Sequence, residues 1–213
     1  MVVNREVVER LSRYRSVLLR LQALGLAKIF SDNLGDALGI SGSQVRKDFA
    51  VFGMRGVKRG GFQIADLLGR ISAVLGMSGP LRTVVIGCGK IGTALVRMYG
   101  GRREGVTVVA GFDINSKTLA PPADVPILDM CELPAFLQAQ SIRVAILCTP
   151  EDAAPGIMEQ LRQSGVVRGV LNFTPSPLRS DAQCIVQNID IRMEIEKLFS
   201  VIHLMGETGG SSK

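Results

Sequence analysis

The chain has 213 residues, 46% of them hydrophobic, enough for two modest cores, and its four cysteines (Cys88, Cys131, Cys148, Cys184) are too widely spaced for a disulfide framework or a C-x-x-C metal site. No apolar run approaches the 18 or so residues of a membrane span, and no apolar stretch backs the basic residues near the N-terminus, so a cytoplasmic protein without a signal peptide is expected. The formal charge of +6 sits wholly in the first 80 residues, which hold 12 Lys and Arg against 6 Asp and Glu, whereas residues 81–213 hold 13 of each; a basic small part joined to a neutral larger one implies a polyanionic partner, with nucleic acid first.

Residues 5–24 place apolar side chains at Val7/Val8, Leu11, Tyr14, Val17/Leu18 and Leu21, the spacing of an amphipathic helix, and Gly25 supplies its C-terminal cap. Ser31 can cap a second helix that runs through Leu38 and stops at Gly39. Ser41, with Gln44 three residues on, fits a capping box for a third helix reaching about Phe52. Two short helices joined at Gly39-Ile40-Ser41 meet the requirements of a helix-turn-helix. On the third helix Val45, Phe49 and Phe52 can pack inward, leaving Ser43, Gln44, Arg46 and Lys47 free for base edges and phosphates. The glycine-rich segment 53–62 then suits a two-stranded wing whose Arg55, Lys58 and Arg59 lie against DNA backbone or in a minor groove. The competing reading is a solvated basic face on a small helical bundle.

A further helix over residues 65–75 leads to Gly76-Met77-Ser78-Gly79-Pro80, the best linker in the chain, which sets a winged-helix domain at 1–80. Beyond it strands at 83–87, 106–112, 125–128, 142–148, 168–173 and 183–189 alternate with helices at 91–99, 131–139 and 151–164, the pattern of a doubly wound parallel α/β sheet of Rossmann type over 81–189. The first strand-turn-helix carries Gly87-x-Gly89-x-x-Gly92. Gly87 permits the tight turn, Gly89 lets the backbone approach a pyrophosphate, and Gly92 lets helix pack on strand, while the amides around Cys88, Lys90 and Ile91 face the anion. Asp113 ends the second strand about twenty residues later, where a carboxylate grips the ribose of NAD(H) and repels the 2′-phosphate of NADP. Thr149-Pro150 and Asn172-Phe173-Thr174-Pro175 open on the same carboxyl edge of the sheet. A turn that binds nothing, or binds another nucleotide such as coenzyme A, is the alternative. Cys88 is either an oxidation-sensitive thiol in the loop or a small residue that fits.

The last helix, about 190–205, has apolar residues well beyond a single stripe: Ile191, Ile195, Leu198 and Ile202 are joined by Met193, Phe199, Val201 and Leu204. A second subunit covering the excess predicts a homodimer, with exchanged helices as one form of it, and burial within a monomer is the other option. Residues 206–213 read as a disordered tail. The chain is poor in groups for hydride-transfer catalysis: it has one histidine, His203, and two tyrosines, Tyr14 and Tyr99, with no Tyr-x-x-x-Lys pair. No catalytic residue and no metal ligand is assigned, and the expectation is a nucleotide-binding regulator rather than an enzyme.

Taken together, Arg10-Leu11 with Tyr14, Gln44-Val45-Arg46-Lys47-Asp48-Phe49 with Phe52-Gly53, the Gly87–Gly92 loop, Phe112-Asp113, residues 146–150, Leu171-Asn172-Phe173-Thr174-Pro175 and Asn188-Ile189-Asp190 resemble the bacterial redox-sensing transcriptional repressors of the Rex family, up to Met205. The resemblance implies a homodimer on a palindromic double-stranded operator, NAD(H) in the sheet domain, a C-terminal helix reaching into the partner subunit, and release of DNA when NADH binds. It also marks switch positions. Asp190 is retained, but Ser16 stands where the family carries arginine, and Met98, with Tyr99 beside it, where the family carries tyrosine; an offset of one rotates a helical side chain by about 100°. An NAD-dependent oxidoreductase and a divergent sensor of another ligand are the competing expectations.

Overall fold

The structure, a computed structural model, describes residues 5–57, 60–101, 105–119 and 125–208. The chain divides into two compact units, Met1–Gly79 and Pro80–Lys213.

The first unit is built by α1 (Arg5–Ala23), β1 (Lys28–Ile29), α2 (Ser31–Asp36), α3 (Gly42–Val51), β2 (Phe62–Gln63) and α4 (Ile64–Val74). Leu11, Tyr14 and Leu18 of α1, Val45 and Phe49 of α3, and Ile64, Leu67 and Ile71 of α4 recur at helical spacing, and they close one core with Leu34 of α2. Phe49 is its centre, edge-on to Tyr14 at 5.3 Å and to Phe62 at 5.2 Å. The expected wing is anchored by antiparallel pairing of β1 with β2 and by a bridge between Val57 and Gly61, whose φ of 68° suits glycine. Lys58 and Arg59 lie outside the described residues. Strand β1 escaped the sequence reading because two residues carry no periodicity.

Two caps differ from expectation. Ser31 is the first helical residue of α2 rather than its cap, and the helix stops at Asp36 rather than Leu38. Ser41 does cap α3, accepting from the Gln44 N–H at 3.2 Å, but the Gln44 side chain does not return the bond. It is drawn inward to Asp48 instead.

The second unit is a six-stranded parallel sheet of β3 (Leu81–Ile86), β4 (Val106–Asp113), β5 (Ile127–Asp129), β6 (Val144–Leu147), β7 (Gly169–Asn172) and β8 (Ile185–Asn188), in spatial order β5-β4-β3-β6-β7-β8. The order reverses between β3 and β6, which opens a crevice at their carboxyl ends. Alternation along the strands feeds both faces. Val84, Ile86, Ala110, Phe112, Ala145 and Leu147 pack with α6 (Leu133–Ala139) and α7 (Ala154–Gln163), while Val85, Val108 and Ile146 pack with Val96 of α5 (Lys90–Tyr99). The alternating pattern therefore predicted the architecture correctly, with element ends shifted by a few residues.

Helix α8 runs over Ile191–Thr208, so the stretch 206–208 assigned to the tail is helical, and residues 209–213 lie outside the described residues. Asp190 caps it, its Oδ1 accepting from the Met193 N–H at 3.0 Å. Ile191, Ile195, Leu198, Phe199 and Ile202 are each more than half exposed. Among the described residues no helix is long and apolar enough to cross a membrane, and no group of His, Cys, Asp or Glu could hold a metal ion.

Candidate nucleotide pocket and nucleic-acid interface

The glycine loop between β3 and α5 lies at the crevice where the strand order reverses. Gly87 has φ of 89°, and a Cβ on it would sit 2.7 Å from the Cys148 carbonyl, so the turn closes against the end of β6 only without a side chain. A Cβ on Gly92 would stand 1.9 Å from the Gly87 carbonyl oxygen, which is how closely α5 seats on the strand. Gly89 is the opposite case. It has an ordinary backbone φ of −69°, and no atom lies within 4 Å of where its Cβ would be. That empty volume adjoins the first amides of α5, which have no intrahelical partner, with Lys90 and Ile91 exposed above them.

Asp113 reaches the loop from the end of β4. Its Oδ2 accepts from the Cys88 N–H at 2.8 Å and its Oδ1 from the Asn115 N–H at 2.8 Å. The carboxylate thus fixes the loop as well as facing the crevice, and a carboxylate with about four acceptor positions retains two for hydroxyls. On the β6 side, Thr149 packs against Gly87, and its buried hydroxyl has no hydrogen-bond partner among the described residues. A buried orphan hydroxyl is costly unless a ligand supplies the partner. Pro150 beside it is exposed. At the carboxyl end of β7, Asn172 is buried and binds Asn188, Ser176 and Thr174, shaping the next loop through bonds that the sequence pattern did not disclose.

The Cys88 thiol is packed rather than poised for chemistry. Burial, followed by the Asp113 charge, pushes its pKa up to about 11, and burial, followed by Cys88, pushes Cys148 to about 12. Gly111 makes room for the Cys88 sulfur, since a Cβ there would stand 2.6 Å from it. Of the two readings of Cys88, the small residue that fits is the better supported. Tyr99 packs on the α5 side of the sheet, Met98 next to it is exposed, and Ser16 is exposed on α1.

In the first unit α3 divides its charged residues sharply. Ser43, Arg46 and Lys47 are exposed, as is Arg55 in the wing. Asp48 points the other way and is 3% exposed. Arg10 clasps it with Nε to Oδ2 at 2.7 Å and Nη2 to Oδ1 at 2.9 Å, while the Tyr14 hydroxyl donates to Oδ2 at 2.8 Å and the Gln44 amide to Oδ1 at 2.8 Å. Of the four α3 residues expected to be free for DNA, Gln44 is therefore committed inward. Arg46 is also engaged, through Nη1, with Ser31 Oγ at 2.7 Å and Asp32 Oδ1 at 3.0 Å. The inward spacing Val45, Asp48/Phe49, Phe52 is the available signal for Asp48; its partners on α1 lie 34 and 38 residues away in sequence.

Burial alone would raise the Asp48 pKa, but the hydrogen bonds from Arg10, Tyr14 and Gln44, with the Arg10 charge, hold it below the usual carboxylate value of 3.8. Burial and then the bond to Asp48 push the Tyr14 hydroxyl up. A depressed folded-state pKa means that this network's contribution is complete above pH 3.8 and is lost as pH falls through the lower folded value. In a Tyr99→Phe background, where tyrosine fluorescence reports Tyr14 alone, the acid limb of unfolding of the first unit is therefore expected to be shallower with Asp48→Asn than without it.

The comparisons with known proteins cover both units. Residues 3–50 match the family model for a putative DNA-binding protein N-terminus, and residues 78–176 match the model of the CoA binding domain. The chain is 32% identical over 92% of its length, and over 93% of the relative's, to the redox-sensing transcriptional repressor Rex of Lactobacillus acidophilus. It is 31% identical over 92% of its length, and over 94% of the relative's, to the Rex repressor of Thermosipho africanus. Among solved structures it resembles RSP in complex with β-NAD⁺ and operator DNA, with a TM-score of 0.85 at 25% identity over 100% of both chains.

Proposed function

The chain belongs to the Rex family of redox-sensing transcriptional repressors, and from that premise we propose that it is a cytoplasmic, NADH-responsive repressor that holds operator DNA until NADH occupies the glycine-loop crevice. The observation that carries this reading is the pairing, in one chain, of a capped helix presenting Ser43, Arg46 and Lys47 outward with a glycine loop that is open where a Cβ on Gly89 would stand and that is held by Asp113.

In this reading the amides of residues 89–92 receive the pyrophosphate, the Cys88 N–H staying with Asp113, while the open space at Gly89 admits the ligand, Asp113 accepts from the adenosine ribose hydroxyls, and Thr149 gives its orphan hydroxyl to the ligand. When bound, the nicotinamide supplies a redox state to be read. Asp113 also argues for NAD(H) over the coenzyme A that the matching domain model names, because the ribose of coenzyme A bears a phosphate that a carboxylate repels. On the DNA side, Ser43, Arg46, Lys47 and Arg55, with Lys58 and Arg59, would contact bases and phosphates, and Gln44 would act from the flank through Asp48.

The apolar excess of α8 is the surface for a second copy of this chain, giving a two-fold dimer matched to a palindromic operator. Leu198→Glu with Phe199→Glu is expected to convert dimer to monomer in sedimentation velocity and to weaken operator binding. A double variant that stays dimeric would remove α8 from the interface. Selection of duplexes from a randomised library tests the repressor reading itself: the protein should enrich one palindrome, with affinity falling steeply with salt. Steady oxidation of NADH with a small carbonyl substrate would favour an oxidoreductase instead.

A further inference from the structure

The contact between α2 and Arg46 has a consequence for sequence discrimination, resting on the reading of α3 as the helix that enters the major groove. Arg46 Nη1 donates both to Ser31, which is 8% exposed, and to Asp32, whose carboxylate stands largely in solvent. An ion pair this exposed is screened by solvent and contributes little to stability, so holding the fold is a weak reason for it.

The backbone nevertheless makes room for that carboxylate. A Cβ on Gly42 would lie 1.8 Å from Asp32 Oδ1 and 2.8 Å from its Cγ. Gly42 is the first residue of α3, and Arg46 is one turn on, on the same face. Asp32 is thus seated at the start of α3 directly beneath Arg46. The guanidinium opens on a cleft of about 500 Å³ lined also by Arg55 and Val57 of the wing and by Phe30 and Phe62.

We propose that Asp32 is a specificity-determining residue, which fixes the Arg46 guanidinium so that it reads a base rather than a phosphate. With Nη1 tethered, the Nε–Nη2 edge has no partner among the described residues and is the side that can make the paired donation to guanine O6 and N7. The Asp32 charge meanwhile offsets Arg46 against the phosphate backbone, lowering affinity for DNA of any sequence. One residue therefore raises the ratio of specific to non-specific binding from both sides.

The test uses the full-length protein, the duplex that it enriches from a randomised library, every single-base variant of that duplex, and a scrambled duplex. Asp32→Ala is expected to lose at least about tenfold discrimination at one base pair per half-site. It should bind scrambled DNA a few-fold more tightly, with a salt slope steeper by about one phosphate contact per half-site. Gly42→Ala, which evicts the carboxylate, should reproduce the loss at the same base pair, with helix content unchanged by circular dichroism. Added to Asp32→Ala, it should cost no further discrimination at that base pair, whatever small packing cost comes from the remaining 3.0 Å approach to the Asp32 Cα. Asp32→Asn, which keeps an oxygen for Arg46, should recover part of the discrimination while retaining the tighter scrambled binding. A position-by-position profile unchanged within about twofold in Asp32→Ala, or a uniform loss on selected and scrambled DNA alike, overturns the proposal. A parent protein that enriches no duplex overturns the repressor reading, and this proposal with it.

Discussion

Asp48→Ala is expected to unfold the first unit while leaving the parallel sheet and its nucleotide binding in place. The substitution strips four hydrogen bonds at once and leaves the Arg10 guanidinium and the Tyr14 hydroxyl facing a vacancy beside Phe49. Removing one partner of a buried ion pair costs about 3–5 kcal/mol, a large share of the 5–15 kcal/mol that a small domain has in total. Calorimetry should show an early transition belonging to the first unit and a later one that stays at its parent temperature and rises with NADH as it does in the parent. Specific duplex binding should disappear. A single unshifted transition with operator binding intact would mean that the network is ornamental. Tyr14→Phe, which removes one bond and keeps the ring on Phe49, should cost about 1 kcal/mol.

Gly89→Val is expected to have the complementary effect. Gly89 has a φ that any residue adopts and no neighbour where a Cβ would go, so the fold's objection is confined to Val as the N-cap of α5, about 1 kcal/mol. The added side chain would occupy the volume assigned to the pyrophosphate, and NADH affinity should fall by at least tenfold, which is about 1.4 kcal/mol. Operator affinity without nucleotide should stay within about twofold of the parent, while the response to NADH is lost. Gly92→Val would not serve as the probe, because its Cβ would meet the Gly87 carbonyl oxygen at 1.9 Å and the loop itself would fail. If Gly89→Val binds NADH normally, the pyrophosphate does not lie over Gly89.

These two residues mark what the sequence made legible and what it did not. The crevice was readable because a glycine loop, a following helix and an acid at the end of the next strand are local or nearly so, and each has a separate physical reason. The strand and helix alternation worked for the same cause. Asp48 was not readable, since a charge on an inward stripe looks like an error until Arg10 and Tyr14 arrive from 38 and 34 residues away. Gln44 and Arg46 look free in the sequence for a different reason: each side chain has a nearer alternative to DNA, one on its own helix and one on α2. The Thr149 orphan hydroxyl depends on how β6 meets the loop, which no spacing reveals. In α8 the sequence showed the apolar excess, and the structure leaves that surface outward.

At the switch positions the fold keeps Asp190 as the cap of α8 and places Tyr99 against the core beneath α5, with Met98 outward. Ser16 is exposed on α1, and Arg15 beside it donates from Nε to Ser72 Oγ at 3.0 Å.

Filling the crevice should loosen the grip on DNA, which fluorescence anisotropy of a labelled operator duplex titrated with NADH, and separately with NAD⁺, can read. NADH is expected to release the duplex from the parent protein at concentrations at which NAD⁺ leaves it bound. An operator affinity that stays the same from zero to saturating NADH, with NADH binding verified in the same sample, would contradict it.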